Sequence, residues 1–231
     1  MATEAPPDDL TVTRRKQRLA YTSWIEQVCA EDPGARVALR SGVGRGIDNV
    51  PRMHRLVARW LPAGCSEAEQ RAYYAVAAMI ADQPRNSYAS AAKPDTDTGT
   101  DSEPDGEEKT TPPEAAASRK DRYGDSLGAA FALAVTQGPG REREMRESAA
   151  ESRLNLLTRQ SIDGLHRHLP SAVRYLRGVD VPVDWAQLLD DLIAWPVHSG
   201  RIARRWLQDY YRARARDEQE KANQADQEDL E

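Results

Sequence analysis

The chain has 231 residues, of which 39% are hydrophobic, with a mean hydropathy of −0.74 and a formal charge of −5 at pH 7. So low an apolar content suits thin helical bundles whose helices stay partly wet, not one large core. No run approaches the roughly 18 consecutive apolar residues of a membrane span, Met1 to Leu10 lack the basic and apolar regions of a secretory signal, and Cys29 and Cys65 form no C-x-x-C pair, so a cytoplasmic protein without a disulfide framework is expected.

In chain order, Tyr21, Trp24, Ile25 and Val28 recur at helical spacing, with Thr11 or Thr13 placed to cap that first helix. Asp32-Pro33 reads as an N-cap followed by a proline at the first helical position. The helix it opens runs through Ala35–Arg40 and stops at the glycine run Gly42 to Gly46. Pro51 begins a third helix with Met53, Leu56, Val57, Trp60 and Leu61 on one side. Ser66 and Glu69 form a capping box for a fourth, whose stripe is Tyr73, Val76, Ala77 and Ile80.

Residues 84–118 break the pattern. They lack Leu, Ile, Val, Phe and Trp, and such a segment buries too little apolar area to offset its ordering entropy. The helical pattern resumes over Asp125–Val135, with Leu127, Phe131 and Val135 a turn apart. After Gly138-Pro139-Gly140 comes a charged helix ending in Leu154, Leu156 and Leu157. Ser161 opens another, with Ile162, Leu165, Leu169, Val173 and Leu176 on one face. Asp184 caps a helix carrying Trp185, Leu188, Leu189 and Leu192 to Trp195-Pro196, and the last runs from about Ser199 to Arg216 with Ile202, Trp206 and Tyr210 aligned. The reading is all-α: two small helical bundles, residues 11–83 and 119–216, joined by a connector (84–118) with a disordered acidic insertion, and an acidic disordered tail (217–231).

Little in this pattern supports catalysis. His166 and His168 are two apart on a helix, so they diverge instead of chelating, and neither they nor His54 and His198 have carboxylate or Cys neighbours at metal-ligand spacing. They read as surface or partly buried histidines. Asp190-Asp191 reads as a solvated face. The Gly42–Gly46 run follows no strand and lacks the spacing of a phosphate-cradling fingerprint. Trp60, Trp185, Trp195 and Trp206 sit on apolar stripes, which suits core packing better than base stacking. The expectation is a non-enzyme with no cofactor, no metal and no small-molecule substrate.

The charge is distributed unevenly. Met1–Asp9 carry −3, Pro94–Glu114 carry −7 and Asp217–Glu231 carry −6, which leaves the remainder near +11, nearly all of it arginine. A cationic body with acidic flanks is the electrostatic footprint of a phosphate-backbone binder. Arg36 and Arg40 share a helix face, with Arg45 in the loop after it, and Arg52, Arg55 and Arg59 form a second stripe at i, i+3, i+7. Arg119, Lys120 and Arg122 lead into the C-terminal half. Arg141, Arg143, Arg146 and Arg153 recur along the charged helix but interleave with Glu142, Glu144, Glu147 and Glu151, as in a salt-bridged exposed face.

Several spellings then matter. Gly34-Ala35-Arg36-Val37-Ala38-Leu39-Arg40, followed some ten residues later by Pro51, resembles the opening of the CasB family, the small subunit of the type I-E CRISPR surveillance complex, Cascade. Ser126-Leu127-Gly128 resembles that family's helix opening after its central connector. Arg153-Leu154-Asn155-Leu156-Leu157 and Leu165-His166-Arg167-His168-Leu169 are similar to later elements. Val181-Pro182-Val183-Asp184-Trp185, then Leu188, Asp191-Leu192, Trp195, Trp206 and Tyr210, complete an ordered set over roughly residues 20–212.

The resemblance implies a non-catalytic, two-bundle helical subunit that pairs with a second copy of itself, contacts other Cascade subunits, and holds the crRNA–target DNA heteroduplex and the displaced single strand. Guide pairing reads the sequence there, so shape and charge suffice. Nucleic-acid contact is accordingly expected at Arg36, Arg40, Arg45, Arg52, Arg55 and Arg59, and also at Arg141, Arg143, Arg153 and Arg159. Two other readings stay open: a helical DNA-binding regulator, which would need base-reading side chains, and a purely structural scaffold.

Overall fold

The computed structural model describes residues 7–84, 124–136 and 144–228, and the described residues are helical with no strand. The acidic insertion, Arg119, Lys120, Arg122 and Gly138–Gly140 lie outside them.

Helix α1 (Pro7–Glu31) begins before Thr11 and Thr13, so neither caps it. Its buried face is Arg18, Tyr21, Thr22, Ile25 and Cys29. Asp32 caps α2 (Pro33–Arg40) as expected, accepting from the Gly34 and Ala35 N–H groups at 2.8 and 2.9 Å. Such a cap contributes about 1 kcal/mol. After α2 the chain turns through Gly44, whose φ of 70° suits glycine. Pro51 opens α3 (Pro51–Val57), which tightens into a 3₁₀ turn at Ala58–Trp60. In α4 (Glu67–Ala81), Ser66 accepts the Glu69 N–H at 3.2 Å, while the Glu69 carboxylate takes Arg18 of α1. That helix buries Tyr73, Tyr74 and everything from Val76 to Ala81.

In the second half, Ser126 caps α5 (Leu127–Val135), α6 spans Glu147–Thr158, and Ser161 caps α7 (Ile162–Gly178). Because α6 starts at Glu147, Arg146 precedes the helix instead of lying along it. The two helices expected around Trp195-Pro196 are both present and meet across a kink at His198 (φ −126°), two residues past Pro196; together they span Trp185–Glu228 and are named α8. Asp184 caps α8 by accepting the Gln187 N–H at 2.9 Å.

The acidic tail is a correction. Residues 217–228, read as disordered, continue α8. Asp217 sits one turn from both Arg214 (2.9 Å) and Lys221 (3.1 Å), and Glu218 one turn from Arg214 (3.4 Å). Ion pairs at i, i+3 and i, i+4 support helix where no core is available.

Helix α8 is the element on which both halves meet. It packs against α5 and α6, and also against α1 and α4. Gly128 allows α5 and α8 to approach closely, since a Cβ there would lie 1.8 Å from the Trp206 carbonyl oxygen. Trp195 and Trp206 are buried with ring centroids 5.1 Å apart, and Trp185 of the same helix is buried as well.

Asp191 overturns the solvated-face reading. It is only 3% exposed and accepts from Gln187 Nε2 (2.9 Å), Trp206 Nε1 (2.6 Å) and Arg205, with which it forms an ion pair. Burial pushes its carboxyl above the usual range, against the pull of the Arg205 guanidinium. Asp190 pairs with the buried Arg18 at 3.1 Å, so the two adjacent carboxylates tie α8 to different partners. His166 is a second correction. It is buried, and desolvation, aided by Arg71, depresses its pKa to about 4, so the ring is neutral at pH 7.

Candidate nucleic-acid interface

Local structure sorts the predicted arginines into two kinds. Pro51 starts α3 in a register that buries Met53 and Val57, which turns Arg52 and Arg55 outward, and Arg45 is carried on the exposed loop after Gly44. These three stand exposed, with no ion pair or side-chain hydrogen bond to another described residue.

In the same half, Arg36, Arg40 and Arg59 are engaged. Arg36 donates through Nε to Ala81 O (3.2 Å) and through Nη2 to Gln83 O (2.6 Å), closing the C-terminus of α4. Arg40 donates to Asp82 at 2.8 Å. Arg59 lies over the Trp24 ring, 3.9 Å from its centroid, and within 5.9 Å of Trp60. Stacking of this kind holds a guanidinium in place without neutralising it. Arg36 and Arg40 therefore share a helix face, but that face is turned to the end of α4 instead of joining the Arg52 stripe.

In the second half, Arg141 and Arg143 lie outside the described residues. Arg153 stacks on Tyr175 at 3.9 Å and donates to Ala149 O. Arg159, at the end of α6, faces a groove of about 600 Å³ shared with α8. Across it stand Arg204, Gln208 and Arg212, with Leu207 and Tyr211 forming an apolar floor. These α8 residues are not among the arginines expected from the sequence. Arg201, Arg204, Gln208 and Arg212 recur at i, i+3, i+7, i+11, a spacing visible in the sequence opposite the Ile202–Trp206–Tyr210 stripe.

Basic side chains on two separate faces can neutralise phosphates independently of sequence. Among the described residues no group of three His, Cys, Asp or Glu side chains is placed to hold a metal ion, and no helix is long and apolar enough to cross a membrane.

Comparison with known proteins adds to this geometry. No curated protein matches the chain. A chain of a solved "CRISPR RNA-guided surveillance complex, pre-nicking" is 33% identical, with a TM-score of 0.67, over 91% of this chain and 98% of that one. A Cse2-family CRISPR-associated protein from Thermus thermophilus (22% identity, TM-score 0.55) and CasB from M. ruber (21%, 0.57) share the fold, each over 84% of this chain and 97% of theirs. The family model of CRISPR-associated protein Cse2 matches residues 35–211. A match of that extent, on an all-helical fold shared along nearly the whole of those relatives, makes this chain a member of the Cse2 family.

Proposed function

We propose that the protein is a non-catalytic subunit of a CRISPR surveillance complex that steadies the crRNA–target DNA heteroduplex and the displaced strand by phosphate contacts. Relatives at 33% and 32% identity are chains of solved CRISPR RNA-guided surveillance complexes, which supports the subunit role and other complex subunits as partners. The observation that carries the nucleic-acid role is the exposed set Arg45, Arg52 and Arg55, which the fold presents to solvent without internal partners among the described residues. Arg159, Arg204 and Arg212 supply a second basic surface with a stackable Tyr211 beside it. Arg59 and Arg153, fixed on Trp24 and Tyr175, add held cations in each half. A second copy of the chain would extend the basic path.

The test is salt-titrated binding of the isolated chain to unrelated single- and double-stranded DNA, beside an Arg45/Arg52/Arg55→Gln variant. Sequence-independent affinity should fall linearly on log–log axes. With three phosphate contacts removed, the single-strand slope should flatten by about 2. Preference for one duplex would point to a regulator, and no binding at low salt would leave the scaffold role.

A further inference from the structure

The groove between α6 and α8 sets an exposed aromatic ring among unpaired arginines. Its α8 wall carries Arg204, Gln208, Tyr211 and Arg212 at i, i+4, i+7 and i+8, on one helix face, and Arg159 stands on the α6 wall. The three guanidiniums are exposed and make no ion pair or side-chain hydrogen bond with another described residue. No carboxylate lines the groove. Of the neighbouring acids, Glu147 is taken by Arg214 (3.3 Å), Glu151 stands at the rim against the Tyr211 hydroxyl, and Asp209 pairs with none of the three arginines.

Tyr211 supplies an independent observation. Tyr175 is covered by the Arg153 guanidinium and half-buried Trp24 by that of Arg59, each at 3.9 Å. Tyr211 is 49% exposed, and no described guanidinium lies over it. The ring is braced all the same. It packs edge-to-face with the buried Tyr210, centroids 5.1 Å apart at 79°, and Glu151 and Asn155 flank its hydroxyl. Beside it the exposed Gln208 amide makes no side-chain hydrogen bond with another described residue and offers a donor and an acceptor together.

We propose that this groove takes one unpaired nucleotide, its base stacked on Tyr211 with an edge reached by Gln208, and its flanking phosphates held by Arg204 and Arg212 on one wall and Arg159 on the other. The site rests on the nucleic-acid role proposed above and adds to it a selection for unpaired bases. Phosphate contacts alone do not distinguish a base that is stacked from one that is free. A ring does, because a base within a duplex must leave its stack before it presents a face. Stacking tolerates every base, since each has a π-face, so the selection is for strandedness and not for sequence.

The experiment is fluorescence anisotropy on the full chain carrying Arg45/Arg52/Arg55→Gln, so that binding reports the groove. The probes are a thymidine hexamer, an abasic hexamer with the same phosphates, and a short duplex. The thymidine hexamer should bind about tenfold more tightly than the abasic one, the equivalent of one stacked base. Tyr211→Leu should remove that advantage and leave the abasic hexamer and the duplex unchanged. Tyr211→Phe keeps the ring and should retain the advantage, which separates stacking from any effect on the fold. Arg204→Gln should do the reverse, flattening the single-strand salt slope by about 0.7 while the tenfold ratio stands. Competition by thymidine monophosphate would show that one free nucleotide suffices, and displacement by strands alone would assign the site to polynucleotide. The site is overturned if the abasic hexamer binds as tightly as the thymidine hexamer, or if Tyr211→Leu keeps the ratio; salt-dependent binding would then still uphold the phosphate contacts. Binding by none of the probes would overturn the site and the phosphate contacts of this groove together.

Discussion

Replacing Asp191 with alanine should be among the most damaging single changes in the chain. The carboxylate is 3% exposed and accepts from Gln187 Nε2 at 2.9 Å, Trp206 Nε1 at 2.6 Å and the Arg205 guanidinium. Truncation strips three donors of this acceptor, one of them charged. Removing the acceptor leaves the buried Gln187 and Trp206 donors unsatisfied and dissolves the ion pair, which together costs about 3–5 kcal/mol. At about 2–4 °C per kcal/mol for a chain of this size, the thermal midpoint should drop by about 6–20 °C. The assay is urea and thermal unfolding of Asp191→Ala beside Asp191→Asn, which keeps one oxygen acceptor and should lose less. A loss below about 0.5 kcal/mol, the range of surface substitutions, would refute the network and restore the solvated-face reading.

Three further outcomes follow from the structure. His166 titrates near 6.5 when unfolded and at about 4 when folded, so between those values the unfolded chain binds more protons and stability falls as pH falls; the full contribution, about 3 kcal/mol, is present above pH 6.5 and lost by pH 4. Urea midpoints of the parent and His166→Leu across pH 4.5–7.5 check this, and equal slopes would refute it. Gly128→Ala drives a methyl into the Trp206 carbonyl and should cost more than the roughly 1–3 kcal/mol of ordinary overpacking, read as a lowered midpoint; an unchanged midpoint would mean that α5 and α8 separate freely. Arg59 and Trp24 should couple by about 0.5–1 kcal/mol in a double-mutant cycle of stability with Arg59→Ala and Trp24→Ala, and zero coupling would show that the stacked geometry contributes nothing.

How much was readable in advance depended on how far each interaction reaches along the chain. The caps at Asp32, Ser66, Ser126, Ser161 and Asp184 bind N–H groups two or three residues ahead, so their signals are local and each opens a helix where expected. The apolar stripes of α4, α7 and α8 follow from a 3.6-residue period, and the tryptophans on α8 are buried accordingly. The all-helical class and the ordered resemblance to the family likewise rest on short-range spelling, and the family match bears them out.

What a charged side chain does is decided by partners far away in sequence, which no local period encodes. Arg36 looked like half of a basic stripe with Arg40, and its guanidinium also donates to the carbonyls that end α4. Asp190 and Asp191 looked alike and face different elements, one bound to α1 and the other sealed under Trp206. The acidic residues after Arg216 suggested a disordered tail because no core was available to them, yet α8 continues to Glu228, with ion pairs along it as far as Lys221. Local propensity and periodicity thus set which segments are helices and which faces are apolar. Only the packing of those helices chose which arginines meet a carboxylate and which are left for solvent, because a charge takes its partner from whatever the fold brings within about 4 Å.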